Sequence, residues 1–128
     1  MISKQPIMPE RIRHISGSFS WLDHRLLTHG FLNAMTSYEI VLYFFLVLVG
    51  DKNGVSFYSY DKICQLLKLE LADYIQARDR LIQRSLIAHQ QGRFQVLELP
   101  QQPNPGNEPP PRGNEFRSIK TIFQTLME

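Results

Sequence analysis

The spacing of hydrophobic residues changes several times along this chain, and each spacing predicts a different element. Residues 21–32 place apolar side chains one, four and five positions apart, which is typical of a helix face, with Gly30 as an interruption. Residues 37–49 are apolar nearly all round, which is typical of a central core helix. Thr36 and Glu39 have the spacing of a capping box, so this helix is predicted to begin directly after the threonine.

Two further helices are predicted after a short strand. Residues 55–58 alternate between apolar and polar side chains, which predicts the strand. Ser59 is a suitable N-cap for a second helix over residues 60–67. Glu70 occupies the cap position of a third helix over residues 71–84.

A β-hairpin is predicted directly after the third helix. Residues 85–88 and 94–99 each predict a strand, and the Gln-Gly-Arg sequence at 91–93 predicts the loop between them. Helices and strands together predict one α+β domain over residues 21–99, mainly α-helical with a small hairpin. Residues 1–20 are polar, with a small basic cluster and a Gly-Ser segment, and are predicted to form an irregular arm.

The composition changes beyond residue 99. Six prolines and two glycines lie within residues 100–115, which predicts an extended, solvated linker. Residues 116–128 return to a helical pattern with apolar residues on one stripe. The stripe, predicted to bind a partner surface, consists of Phe116, Ile119, Ile122, Phe123 and Leu126.

This C-terminal helix has no covering surface of its own, and two alternatives remain open. It can pack on Trp21, Leu22 and Leu26 of the same chain, or it can dock on a second copy or on another protein. The first alternative predicts that truncation at Pro100 lowers stability without changing the oligomeric state in solution. The second predicts a change from dimer to monomer.

Composition and charge narrow the class of protein. Hydrophobic residues make up 43% of the 128 residues, enough for one modest core, and the net charge of +2 permits nucleic-acid binding without demanding it. The single Cys64 has no disulfide partner and is interpreted as a small packing residue. The apolar run at 40–49 is half of the roughly 20 residues that a membrane span needs. Because residues 1–10 lack a signal-peptide pattern, we expect a cytoplasmic protein.

No motif for catalysis is found. The four histidines do not have the spacing of a zinc site, alone or with the cysteine. The chain has no Gly-rich phosphate loop and no Ser or Cys in a nucleophile motif. We therefore expect no enzymatic activity, no metal and no cofactor.

Two motifs in the central part of the chain carry a resemblance to a known family. They are Ser59-x-x-x-Ile63-Cys64-x-x-Leu67-x-Leu69-Glu70 and Leu81-x-x-x-Ser85-Leu86-Ile87. They resemble the second helix, and the end of the third, in winged helix-turn-helix domains of bacterial replication initiators and mobile-element-associated proteins. The resemblance covers residues 37–99. It implies a winged helix-turn-helix fold that binds double-stranded DNA, as a regulator or as an accessory protein of replication or transposition.

The resemblance implies that the third helix enters the major groove of DNA. Gln76 and Gln83 can bind adenine edges, and Arg80 can bind guanine or phosphate. A hairpin arginine such as Arg93 commonly lies over the minor groove or on phosphate. The residues predicted to contact DNA are Ser59, Tyr60, Lys62, Lys68, Gln76, Arg80, Gln83, Arg84, His89 and Arg93.

Several positions depart from the family pattern. Lys68 replaces a turn glycine, so the turn is either one residue longer or places this lysine in a less favoured conformation, and Ser85 replaces another glycine. Glu70 and Asp73 stand where Ser or Thr is usual, and carboxylates there repel phosphates, although Asp73 can also accept from a cytosine amino group. This acidic start favours the alternative function, a protein-interaction or oligomerisation module on the same scaffold.

Overall fold

The computed structural model of the protein describes residues 4–103. The predicted C-terminal helix at 116–128 and most of the predicted linker at 100–115 lie outside the described residues. Within residues 4–20 the regular structure is limited to a single 3-10 turn, Pro9–Arg11. The described helices and strands of the remainder fall within the predicted domain at 21–99.

Two one-turn helices open the domain. Helix α1 is Arg25–Thr28 and helix α2 is Phe31–Ala34. Gly30 separates them with a φ of 81°, a left-handed conformation that ends the first helix turn. The prediction of a helix from residue 21 is wrong at its start, because α1 begins only at Arg25 and Trp21, which precedes it, is 80% exposed.

Helix α3, Ser37–Val49, begins and ends as predicted. Its capping box is complete: the Thr36 hydroxyl accepts a hydrogen bond from the Glu39 N–H at 3.2 Å, and the Glu39 carboxylate accepts from the Thr36 N–H at 3.2 Å. Leu42 and Leu46 on its inner face are fully buried. The capping box thus fixes where the helix starts, and the core holds its inner side.

Helices α4, Tyr60–Leu67, and α5, Leu71–Gln83, follow a short strand and lie within one residue of the predictions. The turn between them is not lengthened, because Lys68 adopts a left-handed conformation with a φ of 57°. Ser85, after α5, also has a positive φ, of 62°. Both residues therefore hold conformations that glycine adopts at lower cost.

Three short strands form one antiparallel sheet. They are β1, Val55–Phe57, β2, Ile87–Gln90, and β3, Arg93–Val96, in the order β1-β3-β2. Gln91 and Gly92 make the hairpin turn, with φ values of 52° and 78°. The loop is thus shorter than predicted, and β2 begins two residues later than predicted. The predicted α+β class is confirmed.

The core lies between the three longer helices and the sheet. Its fully buried members include Leu42, Ile63, Leu81 and Phe94, one from each surrounding element. Among residues 4–103, no helix has both the length and the hydropathy needed to cross a membrane.

A buried ion cluster joins α3 to the end of α5. Glu39 is 1% exposed, and its second carboxylate oxygen accepts from Arg84 Nε at 2.7 Å. Arg84 Nη2 donates to the Ala34 carbonyl at 2.8 Å. Arg80 Nε lies 3.9 Å from the same carboxylate. One carboxylate therefore contacts α5 and completes the cap of α3, while Arg84 also reaches the end of α2.

Arg84→Met tests the ion cluster. The substitution leaves the Glu39 carboxylate buried without its closest partner, so the free energy of unfolding should fall by about 3–5 kcal/mol in urea titrations. Arg25→Met is the control, because its partner Asp23 is solvent-accessible, and it should change the midpoint little. Equal effects of the two substitutions would contradict the prediction that the buried ion cluster stabilises the fold more than a solvent-accessible ion pair does.

Lys68→Gly and Ser85→Gly test the left-handed residues. Each should raise the free energy of unfolding by roughly 0.5–1 kcal/mol, because glycine avoids the steric cost of a side chain at positive φ. Lys62→Gly, inside α4, is the control and should lower it by about 1 kcal/mol. Destabilisation by Lys68→Gly would show that its side chain makes a contact worth more than the strain.

Candidate nucleic-acid interface

Helix α5 has one apolar face and one polar face. Tyr74, Ile75, Ala77 and Leu81 are buried against the core. The buried side of α5 is therefore broad, since it includes the adjacent residues Tyr74 and Ile75. The outer face carries Gln76 and Gln83, both exposed, with Asp73, Asp79 and Arg80 half-buried at its margins.

Three of the six basic residues between 59 and 95 are engaged in ion pairs, and two of these three are buried. Arg78 is buried, pairs with Asp79 at 3.2 Å and lies over the Tyr74 ring at 5.6 Å from its centroid. The prediction that Arg84 contacts DNA is wrong, because it is 4% exposed and bound to Glu39. The pairing could not be found in the sequence, because Glu39 lies 45 residues earlier.

Arg80 is an intermediate case. Its side chain is 19% exposed, and its Nε is held near Glu39. It lies on the margin of the α5 polar face, between Gln76 and Gln83 in the sequence. The guanidinium therefore lies near a buried carboxylate, while part of the Arg80 side chain reaches solvent.

The remaining three basic side chains, Lys62, Lys68 and Arg93, are exposed. Two carboxylates in the same range, Asp61 and Glu70, are exposed as well. Three exposed cations against two exposed carboxylates leave an excess of one positive charge. The electrostatic attraction that this face offers to a phosphate backbone is therefore small.

The start of α4 differs in detail from the prediction. Ser59 occupies the N-cap position, but its side chain makes no capping hydrogen bond to the helix. A hydrogen bond with the Ser59 hydroxyl instead holds the pKa of Asp61 below its usual value. Tyr60 is 57% exposed, whereas Tyr58 packs edge-on against Phe45, with ring centroids 5.1 Å apart. Of the two tyrosines flanking Ser59, Tyr60 is the more exposed.

The hairpin is short, and its side chains contact one another across the two strands. The ring of His89 lies against Phe94, with centroids 4.4 Å apart, and is half-buried. Arg93 Nη2 donates to the Gln90 side-chain oxygen at 3.3 Å. Arg93 is exposed beside the two-residue turn, so it is the hairpin cation best placed for an external ligand.

A second surface, of which the sequence patterns indicated only Leu22, lies on the outer side of α3. It is an apolar groove of about 460 Å³, and we call it the α3 groove. Its main walls are Leu22, Val41, Phe44, Leu48 and Leu67. Sequence reasoning assigned all of α3 to the core, because its apolar residues surround the helix and only packing distinguishes the inner from the outer side.

Other candidate chemistry is limited in the part of the chain that is described. Residues 4–103 contain no cluster of three His, Cys, Asp or Glu side chains that could hold a metal ion. Burial raises the pKa of the Cys64 thiol, which favours its neutral form. The predicted partner-binding residues Phe116, Ile119, Ile122, Phe123 and Leu126 lie outside the described residues.

Comparisons of this chain with protein-family models, with curated proteins and with solved structures found no match.

Proposed function

We propose that this chain is a winged helix-turn-helix module that binds double-stranded DNA without catalysis, as a regulator or as an accessory protein of replication or transposition. The observation that carries the proposal is the outer face of α5, where Gln76 and Gln83 are exposed and Arg80 lies at the margin. The order of the helices and the sheet order β1-β3-β2 support it. In this geometry α5 would lie in the major groove.

The residues divide into two roles in this proposal. Gln76 and Gln83 bind adenine edges in the major groove, where a side-chain amide matches the adenine donor and acceptor. Lys62, Lys68 and Arg93 bind phosphates and set the position of α5 on the duplex. Arg84 has no contact with DNA and supports the base of α5 through Glu39.

The small number of exposed positive charges predicts that the affinity for DNA depends only moderately on salt concentration. With three exposed cations, the logarithm of affinity should fall with the logarithm of salt concentration with a slope of about −2.7, since each neutralised phosphate contributes roughly 0.9. A module with such a slope gains little from non-specific attraction. Discrimination between sequences then depends on base contacts from α5.

The salt dependence can be measured by fluorescence anisotropy with a labelled random-sequence duplex. Lys68→Ala and Arg93→Ala should each reduce the slope by about 0.9, because each removes one phosphate contact. Lys52→Ala is the matched control, since this exposed lysine lies in the α3–β1 loop, at the end of the sheet away from the hairpin turn. An unchanged slope in both test variants, or no binding at low salt, would reject the proposal.

Gln76→Ala separates base contacts from phosphate contacts. On a duplex selected for tight binding, the variant should lose about 1–3 kcal/mol of affinity, because one amide contact to a base is removed. On random duplex its affinity and salt slope should be unchanged. Equal losses on both duplexes would contradict a base-contacting role.

The second candidate is a protein-interaction module on the same scaffold. Two observations favour it, namely the excess of only one exposed positive charge and the exposed aromatic residues Phe57 and Tyr60 beside α4, 71% and 57% exposed. Aromatic residues are enriched at protein interfaces. Absence of duplex binding at low salt in a folded protein would favour this candidate.

A further inference from the structure

The α3 groove is a preformed apolar cleft. Val41, Phe44 and Leu48 follow each other at spacings of three and four residues, so they form one stripe on α3. They are 41%, 40% and 70% exposed. The Ser20 hydroxyl donates to the Leu48 carbonyl at 3.3 Å, which holds the segment leading to Leu22 against the end of α3.

Such a surface favours a covering partner. Contiguous exposed apolar patches on single domains commonly mark sites where another chain or segment binds. An apolar groove beside a helix is typically filled by an amphipathic helix with residues at three- and four-residue spacing. The geometry therefore specifies the kind of ligand that fits, a short helix with one apolar stripe.

The chain itself supplies a segment of that kind. The stripe of residues 116–126 has helical spacing and, as a helix, would be about 15 Å long at 1.5 Å per residue. The exposed side of α3 from Tyr38 to Leu48 spans the same number of residues and hence about the same length. Two apolar stripes of equal length can pack along each other without leaving apolar residues uncovered.

The connection between the described domain and this segment is long enough. Twelve residues, 104–115, separate Pro103 from Phe116. In an extended Pro-rich conformation they span roughly 37 Å at about 3.1 Å per residue. A domain of about 100 residues has a radius of gyration of about 13 Å, so the extended linker is nearly three times as long as that radius.

We propose that residues 116–126 bind as a helix in the α3 groove of their own chain. Phe116, Ile119, Ile122, Phe123 and Leu126 then cover the groove stripe and Leu22. The tether favours this occupant over a second copy, because a short linker holds the segment at a local concentration of roughly millimolar order. Of the surface expected from the sequence, Leu26 is excluded, because it is 3% exposed and already part of the core.

A double-mutant cycle in the full chain tests the contact through the thermal midpoint, Tm. Leu48→Glu and Phe123→Glu should each lower the Tm by about 4–8 °C, the shift that corresponds to a contact of about 1 kcal/mol in a domain of this size. The Tm of the double variant should be no lower than that of the more affected single variant, because the two substitutions remove the same contact. Additive losses, or an unchanged Tm in Leu48→Glu, would overturn the proposal.

The matched control is Leu66→Glu. Leu66 is 55% exposed and stands one residue before the end of α4, as Leu48 stands one residue before the end of α3, so both substitutions place a carboxylate at a helix C-terminus. Leu66 does not line the groove. Leu66→Glu should lower the Tm less than Leu48→Glu, and its effect should add to that of Phe123→Glu. If Leu66→Glu and Phe123→Glu were as strongly non-additive as Leu48→Glu and Phe123→Glu, the placement of residues 116–126 in the groove would be overturned.

Sedimentation velocity distinguishes the occupants. The full chain and its Leu48→Glu and Phe123→Glu variants should all sediment as monomers over a hundredfold range of concentration. A dimer that either substitution dissociates would overturn the intrachain contact in favour of a second copy. This outcome is independent of duplex binding, so the docking proposal and the DNA proposal can fail separately.

Discussion

The carboxylate of Glu39 is the group on which the rest of the structure depends. It accepts from the Thr36 N–H at the start of α3 and from Arg84 at the end of α5, while Arg84 also donates to the Ala34 carbonyl at the end of α2. A carboxylate buried to this extent requires both hydrogen bonds and a charge partner, since desolvation otherwise exceeds the attraction. The positions of α2, α3 and α5 are therefore coupled through the Glu39–Arg84 pair.

This coupling also determines the charge of the surface. Arg84 binds the Glu39 carboxylate, and Arg80 Nε lies near the same group. Arg78 pairs with Asp79 below the outer face of α5. The interior gains satisfied ion pairs, and the outer face loses the charges of Arg78 and Arg84. What remains on α5 is a polar face defined by amides, which suits selection among ligands more than strong general attraction to phosphate.

Helix α3 has two sides with different roles. Its inner side, including Leu42 and Leu46, forms the core, while its outer side lines an apolar groove. The groove lies on α3, whereas the polar face belongs to α5, so the two surfaces are formed by different helices. A covered groove and a free α5 face can thus exist in the same molecule, which makes the DNA and docking proposals compatible.

The sequence by itself determined the elements whose causes are local. The capping box of Thr36 and Glu39, the interruption at Gly30 and the bounds of α4 all depend on groups within a few residues of each other. The structure decided the rest: it selects the left-handed form of the turn at Lys68, and tertiary packing buries Ile75 and Arg84. The reason is distance along the chain, because the partner of Arg84 is 45 residues away and burial depends on which elements meet.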